Sequence, residues 1–355
     1  MEIQTVCTLQ DFLALEPDWE RLWHRQKTRQ VFQHHAWARA FIESFCQPGK
    51  WLVQVAREQG EVVALLPLWE DSKQGVWRFI GSPNSDYQYL LGDENVIAGM
   101  IPTLASAGVQ ALRFEAMPEG PTLWKALWAR GHAVVQSRGP LPCRYMALTQ
   151  ANVTAYLLKK GLKDNERRLS KLGPLHLRVI APGEERMQAL EILFEQHRQK
   201  WSCDSRPSQF DDPRTCDFYR RVCSAPELAA MLHFSVLEAG ERILACHVGF
   251  VHGECFIYYK PTYDPAQKGA GRVMMGRLME AARSMGLQEF DFTRGDEPYK
   301  IELATGTRDN HEAHLFFSTK ARLKFQAGQW LRHRVPRDSE GLALTTKLVR
   351  WMRGK

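Results

Sequence analysis

Acidic side chains and a lysine crowd together after a short strand, in the run Phe290-Asp291-Phe292 followed by the turn Arg294 to Lys300. A carboxylate can take a proton from an ammonium group, and a lysine can stabilise the oxyanion formed when an amine attacks a carbonyl. Asp291, Glu297 and Lys300 are therefore candidate catalytic residues for acyl transfer to an amine. The alternative is a solvated charged turn between a strand and a helix.

A glycine turn upstream has the composition of an anion site. It consists of Lys268, Gly269, Ala270, Gly271 and Arg272, at the predicted start of a helix. The first turn of a helix has unpaired N–H groups and a positive dipole end, which favour a phosphate or diphosphate. The two basic side chains would add charge-assisted contacts. An ordinary turn that begins a helix is the alternative interpretation.

The elements around these residues form one compact unit. A strand at 255–259 leads through the glycine turn into an amphipathic helix that ends at Gly286, and a second strand covers 287–292. Alternation along that strand places Phe290 and Phe292 on one face and Asp291 on the other. The unit therefore predicts a sheet covered by a helix, with charged groups at the carboxyl end of the strand.

At these residues the chain resembles a known family. The aromatic strand, Tyr263-Asp264-Pro265, the glycine turn, Phe290-Asp291-Phe292 and Gly295-x-x-x-Tyr299-Lys300 resemble the acetyltransferase-like family typified by the cellulose-biosynthesis protein CelD. That family belongs to the GNAT superfamily and is related to the FemABX peptidyltransferases. Matching stretches at 32–37, 163–172, 194–201 and 210–219 extend the resemblance over roughly residues 30 to 318. The donor loop departs from the usual pattern, because Ala270 stands where that spacing has its first glycine.

The resemblance implies an acetyl-CoA or other acyl-CoA co-substrate, and no metal is expected. It places Tyr258 and Tyr259 on the strand that GNAT proteins splay to admit the pantetheine arm, where Tyr259 could protonate the leaving thiolate. A packed aromatic pair is the alternative. It also places Lys300 first, and Glu297 second, among the catalytic candidates.

Further residues are implied to contact the acceptor, each with a structural alternative as a surface or core residue. They are Arg167 and Arg168 on a basic helix predicted over 155–172, Trp201 at the end of a helix predicted over 187–201, Tyr299, and the pair Asp86 and Tyr87.

The first half of the chain repeats the second in outline. A strand, a hairpin, a strand, a helix over 95–107 and a strand at 109–114 match the order seen at 233–292. We therefore predict a mixed α/β fold of tandem GNAT-like halves, each a twisted mixed sheet flanked by helices. The expected division is 1–150 as the acceptor-side half, 151–318 as the half with the donor site, and 319–355 as a basic amphipathic tail.

Composition limits the other possibilities. The chain has 355 residues, 44% of them hydrophobic, and a net charge of +7. The N-terminus does not read as a signal peptide and no apolar run is long enough to span a membrane, so a cytoplasmic location is expected. Eight scattered cysteines without a C-x-x-C pair indicate neither a zinc site nor a disulfide framework. The basic tail could contact the inner face of a membrane or pack back on the protein.

Three functions remain open. The first is an N-acyltransferase that moves an acyl group, expected to be acetyl, from acyl-CoA to an amine of a sugar or sugar nucleotide in polysaccharide or cell-envelope synthesis. The second is aminoacyl transfer from a charged tRNA, which the basic helix and tail would suit. The third is an inactive scaffold of a polysaccharide synthase complex. Oligomeric state is not indicated by the sequence.

Overall fold

The computed structural model of the protein describes residues 1–26, 30–72, 75–118, 120–136, 139–203 and 207–334. The described strands are β1 Glu2–Val6, β2 Trp51–Glu58, β3 Glu61–Asp71, β4 Val76–Phe79, β5 Leu91–Gly92, β6 Ala111–Met117, β7 Val134–Gln136, β8 Leu141–Ala147, β9 Leu175–Val179, β10 Leu232–Ala239, β11 Arg242–His252, β12 Cys255–Tyr263, β13 Glu289–Arg294 and β14 Gly306–Phe316.

Helices cover the faces of these strands. They are α1 Leu9–Ala14, α2 Glu16–Arg25, α3 His35–Phe45, α4 Glu94–Met100, α5 Thr103–Ser106, α6 Gly120–Ala129, α7 Gln150–Leu157, α8 Lys160–Leu169, α9 Glu184–Cys203, α10 Pro213–Ser224, α11 Ala270–Ser284, α12 Pro298–Leu303 and α13 Thr319–Arg334. Among the described helices, none combines the length and the apolar character that crossing a membrane requires.

The sheet shows the predicted internal repeat. Its strand order is β1-β2-β3-β4-β6-β14-β8-β13-β12-β11-β10-β9, with β5 beside β3 and β7 beside β14. From either edge the chain runs through an antiparallel hairpin, β2–β3 or β10–β11, and reaches one parallel pair, β4–β6 or β12–β13. The predicted mixed α/β fold of two similar halves is confirmed.

The two halves exchange their last strands. β8, which closes the first half in sequence, pairs with β13 of the second half. β14, which closes the second half, pairs with β6 through residues 311–316 and with β8 through residues 306–310. The proposed boundary at residue 150 falls just after β8, so the first half in sequence supplies a strand next to the candidate site.

The buried apolar side chains of the described residues form three groups. A central group lies between the two half-sheets and includes side chains from α1 to α3, α9 and α10. The second half packs its other face under α7, α8 and α11. The first half does the same under α4 and α6. Each half-sheet therefore has one face on the shared core and one on a core of its own.

Two predicted helices are wrong in detail. The helix expected over 95–107 is divided into α4, which ends at Met100, and α5, which begins at Thr103, because Pro102 between them has no N–H to continue the first helix. The basic helix expected over 155–172 is broken at Lys159, which has φ −58° and ψ 126°. Tyr156 and Leu162 both pack on Gly276. In one continuous helix these two side chains would point about 120° apart, so the break lets both reach α11.

The described part of the proposed tail packs on the protein. Phe325 of α13 lies 4.2 Å from the ring of His314 and 5.2 Å from that of Phe316, measured between ring centres. Residues 335–355 of the predicted tail lie outside the described part of the chain.

Candidate active site

A β-bulge in β12 decides which side chains enter the site. Phe250 of β11 pairs with Ile257, but Val248 pairs with Lys260, so two steps along β11 correspond to three along β12. One extra residue is thus inserted at Tyr258 and Tyr259. Tyr258 packs in the core under α11 and Tyr259 in the central core. Because cross-strand partners share a face, Lys260 lies on the same face as Val248 and Tyr259.

Beyond the bulge, β12 separates from β13. The two strands pair in parallel only from Cys255–Glu289 to Ile257–Asp291. After that point Thr293 adopts φ 61° and Gly295 φ 132°, which bend the end of β13 away. Beyond Ile257–Asp291 the strands are no longer paired, with Tyr258 to Lys260 on one strand and Phe292 to Arg294 on the other, and we refer to this unpaired stretch as the opening. The end of the pairing agrees with the predicted splay of this strand pair.

Lys300 is held over the turn that follows β13. It is 4% exposed, and its Nζ donates to the carbonyl oxygen of Arg294 at 2.6 Å and lies 3.1 Å from Glu297 Oε2. Glu297 and Lys300 are three residues apart, about one helical turn, so the lysine side chain folds back over the loop that follows β13. A Cβ at Gly295 would lie 2.8 Å from Lys300 Nζ and 2.2 Å from Glu297 Oε2. The predicted Gly-x-x-x-Tyr-Lys spacing therefore has a steric reason.

Asp291 is fully buried and is contacted from the other half of the chain. The Tyr87 hydroxyl lies 2.9 and 2.8 Å from its two carboxylate oxygens, and the Thr293 N–H donates at 2.7 Å. Arg308 Nη1 lies 3.6 Å away. Burial raises the pKa of Asp291 to about 6, although these donors and the arginine oppose the shift. Asp291 thus joins β13 to the first half.

Other residues of the 81–89 loop complete this joint. Asp86 Oδ1 accepts from Arg294 Nε at 2.6 Å, and the Asp86 carbonyl accepts from the Asn310 amide at 2.8 Å. The Tyr259 hydroxyl bonds to the Asn84 carbonyl and lies 2.8 Å from the Tyr219 hydroxyl. Burial raises the pKa of Tyr259 well above its ordinary value. The loop of the first half therefore lines the opening in the second.

The glycine turn has a steric role at the start of α11. Gly269 has φ 85°, and a Cβ there would lie 2.3 Å from the side chain of Asn165. A Cβ at Gly271 would lie 2.9 Å from the Tyr263 ring. Lys268 and Arg272 are exposed and form no ion pair with the described chain. The turn thus presents two free cations beside the first turn of a 15-residue helix.

The remaining acceptor candidates lie on different elements. Arg167 and Arg168 are exposed on α8, which contacts α11 through an ion pair between Glu166 and Arg277 at 3.0 Å. Trp201 stacks on His197 at the end of α9, with ring centres 5.5 Å apart. Tyr299 packs beside Phe292 under α11. The two arginines therefore lie on the helix that contacts α11, and Trp201 lies at the end of a different helix, α9.

Sequence reasoning missed three basic residues at this site, Lys260, Arg294 and Arg308. Arg294 was visible in the polar turn. Lys260 was hidden by the bulge, because simple alternation along β12 places it with Tyr258. Arg308 lies on β14 and pairs with Glu289 of β13. These two strands come close only because the two halves exchange their last strands.

One group of possible metal ligands occurs in the described chain. Cys255, Glu289 and Asp291 place their ligand atoms within 4.8 Å of one another. Arg308 already contacts both carboxylates. Its guanidinium supplies the positive charge that a metal would otherwise bring, so the arrangement is explained as an ion network.

Comparison with known proteins agrees with this geometry. Residues 158–301 match the family model described as an acetyltransferase (GNAT) domain. The search of curated proteins finds no match.

Solved structures extend the similarity to both halves. A conserved protein of unknown function from Bacteroides thetaiotaomicron is 13% identical, with a TM-score of 0.60, and the match covers 88% of this chain and all of that one. FemX is 11% identical, with a TM-score of 0.55 and coverages of 89% and 98%. The C-terminal domain of a putative lysylphosphatidylglycerol synthetase from Agrobacterium fabrum is 14% identical, with a TM-score of 0.54 and coverages of 90% and 97%. At these identities the likeness concerns the fold.

The family match and the geometry together support an acyltransferase, as the sequence predicted. The matched segment contains the glycine turn, the splayed strand pair and Lys300.

Proposed function

We propose that the protein is an N-acyltransferase that moves an acyl group, acetyl in the simplest case, from acyl-CoA to an amine of a sugar or sugar nucleotide used in polysaccharide or cell-envelope synthesis. The observation that carries the proposal is the opening between β12 and β13. It begins after the Ile257–Asp291 pair, with Arg294, Glu297 and Lys300 following along β13 and the turn after it, and the exposed cations of the glycine turn following the end of β12. The similarity to CelD-like proteins supplies the sugar-type acceptor.

The residues suit direct attack by the amine on the thioester. Glu297 is exposed and can take a proton from the acceptor's ammonium, which frees the amine for attack. The Lys300 ammonium, fixed by the Arg294 carbonyl, offers positive charge for the oxyanion that forms as the amine attacks. The carbon–sulfur bond then breaks, and the thiolate takes a proton from Tyr259. The nitrogen loses its second proton as the amide forms, and that proton returns to Tyr259, whose hydroxyl lies beside that of Tyr219.

Calorimetric titration with acetyl-CoA, a longer acyl-CoA and free CoA tests the donor. We expect the wild type to bind acetyl-CoA. The affinity of Arg272→Glu should be about 10- to 100-fold lower, because a charge-assisted contact to phosphate becomes a repulsion. Arg283→Glu makes the same charge change in the last turn of the same helix and should bind as the wild type does. If no thioester binds, the proposal fails, and the protein is then an inactive scaffold or a transferase that uses a different donor.

Aminoacyl transfer from a charged tRNA is the second candidate. It is favoured by the exposed basic side chains of and around α8, beside the first turn of α11, which are Lys160, Lys163, Arg167, Arg168 and Lys171. Salt-dependent tRNA binding that is lost in Arg167→Glu/Arg168→Glu, together with no acyl-CoA binding, would select this candidate.

A further inference from the structure

One side of α8 carries basic side chains and is turned to solvent. Lys160, Lys163 and Arg167 are exposed and project within about 60° of one another around the helix axis. Arg168 lies beside them, and Lys171 follows in the short 3₁₀ turn Ser170–Leu172 that continues the helix; both are exposed. We call these five side chains the basic face.

The opposite side of α8 is fixed against the protein. Leu162 and Leu169 are buried in the core under α11. Glu166 forms an ion pair with α11 at 3.0 Å, and the Asn165 side chain packs on the glycine turn. These contacts determine the rotation of the helix about its axis, so the basic face has to point away from the protein.

The charge of the basic face is largely unpaired. Arg167 lies 3.3 Å from Asp164, but both side chains are exposed, and an ion pair in water contributes little. The other four cations have no acidic partner among the residues that the structure describes. An anionic surface would therefore meet positive charge along the whole of α8.

Exposed aliphatic side chains flank the basic face at both ends. Leu158, which precedes α8, is 59% exposed, and Leu172, which ends the 3₁₀ turn, is 45% exposed. Ile301 of α12 is 55% exposed. Leu158 and Ile301 are next in sequence to Lys159 and Glu302, which form an ion pair with each other. A helix with a basic outer side and exposed leucines at its ends has the composition of a segment that lies on a membrane.

We propose that the basic face, together with Leu158, Leu172 and Ile301, binds the surface of an anionic membrane. Lipid phosphates complement the unpaired cations, and the acyl region of the bilayer takes up the aliphatic side chains. A tRNA would neutralise the cations but offers no apolar phase to the leucines. Because Asn165 joins the inner side of α8 to the glycine turn, this contact would hold the donor site close to the membrane. The inference does not depend on the proposed acyl transfer.

Co-sedimentation of the full chain with lipid vesicles at moderate salt tests the surface. We expect binding to phosphatidylcholine vesicles that contain about one third phosphatidylglycerol, and little binding to pure phosphatidylcholine. Lys163→Glu/Lys171→Glu should bind the anionic vesicles about tenfold more weakly or worse, because two attractions become repulsions. Lys125→Glu/Lys320→Glu makes the same charge change at two exposed lysines on other helices and should bind as the wild type does.

A second variant tests the apolar part of the contact. Leu158→Ser/Leu172→Ser should bind the anionic vesicles about tenfold more weakly, because two leucines no longer enter the acyl region. Its net charge is that of the wild type, so a surface for tRNA would be unaffected by the change. Urea unfolding of every variant should match the wild type, because the replaced side chains are exposed.

Several outcomes would overturn the inference. It fails if the wild type binds no anionic vesicles, or binds neutral vesicles equally well. It also fails if the α8 lysine variant binds as the wild type does, or if both lysine variants lose binding equally, since net charge alone would then explain it. Loss in the lysine variant without loss in the leucine variant would indicate a surface for polyanions such as tRNA, and the membrane would not be its partner.

Discussion

A Lys300→Met variant should transfer acyl groups about 10²- to 10³-fold more slowly than the wild type, with its fold retained. Lys300 Nζ is the buried cation at the end of the opening, and its bond to the Arg294 carbonyl fixes where that charge lies. Removing one preorganised donor from the oxyanion of an acyl transfer typically costs a factor of this size. Methionine keeps the length and most of the volume of the side chain, so packing against the turn is preserved. Release of free thiol from acetyl-CoA, with an amine acceptor present, measures the rate.

Lys159→Met is the matched control. Lys159 also contacts α12, through an ion pair with Glu302, but both side chains lie outside the opening. The Lys159→Met variant should transfer acyl groups at the wild-type rate. Wild-type turnover in Lys300→Met would remove Lys300 from the reaction. A similar loss in both variants would mean that the lysines act by holding α12 in place.

Local sequence pattern was enough to predict the elements of the site that lie in the second half of the chain. The alternation of Phe290, Asp291 and Phe292 predicted which face of β13 carries the carboxylate, and the structure places both aromatic rings under α11 and Asp291 on the opposite side. Gly286 predicted the end of α11, which stops at Ser284. These features depend on residues within one or two turns of each other, so the sequence carries them directly.

Contacts between distant parts of the chain could not be predicted in the same way. Tyr87 and Asp291 are 204 residues apart and meet because the loop after β4 crosses to the second half. The exchange of β8 and β14 is likewise a matter of which strands pair, and alternation within a strand does not specify its neighbour. The resemblance placed Asp86 and Tyr87 near the acceptor, whereas their partners, Arg294 and Asp291, came only from the structure.

Because of the bulge in β12, simple alternation predicts the wrong sheet face for the residues that follow it. It adds one residue at Tyr258 and Tyr259 and so reverses the face of every residue after it. Lys260 consequently faces the central core and the end of α9. Bulges follow from strain and pairing in the whole sheet, which explains why the lysine was missed while the tyrosines were found.

Replacing Asp291 by Asn should flatten the dependence of stability on pH. The pKa of Asp291 is about 6 in the folded protein against an ordinary value of 3.8, because the carboxylate is buried. Between these pH values the folded state holds a proton that the unfolded state has lost. The wild type should therefore lose about 3 kcal/mol of unfolding free energy from this group as the pH rises from 4 to above 6. The Asn variant has no such proton and should lack this loss.

Urea unfolding at pH 4.5, 5.5 and 7, followed by two probes to check for a single transition, measures the difference. Asp296→Asn is the control, because Asp296 is an exposed acid of the same turn that pairs with Arg144. Tyr87→Phe should destabilise the protein mainly above pH 6, where the ionised carboxylate depends on the hydroxyl that lies within hydrogen-bond distance of both its oxygens. If Asp291→Asn kept the wild-type slope, the proton would belong to another group, and the joint between β13 and the first half would not be the one that titrates.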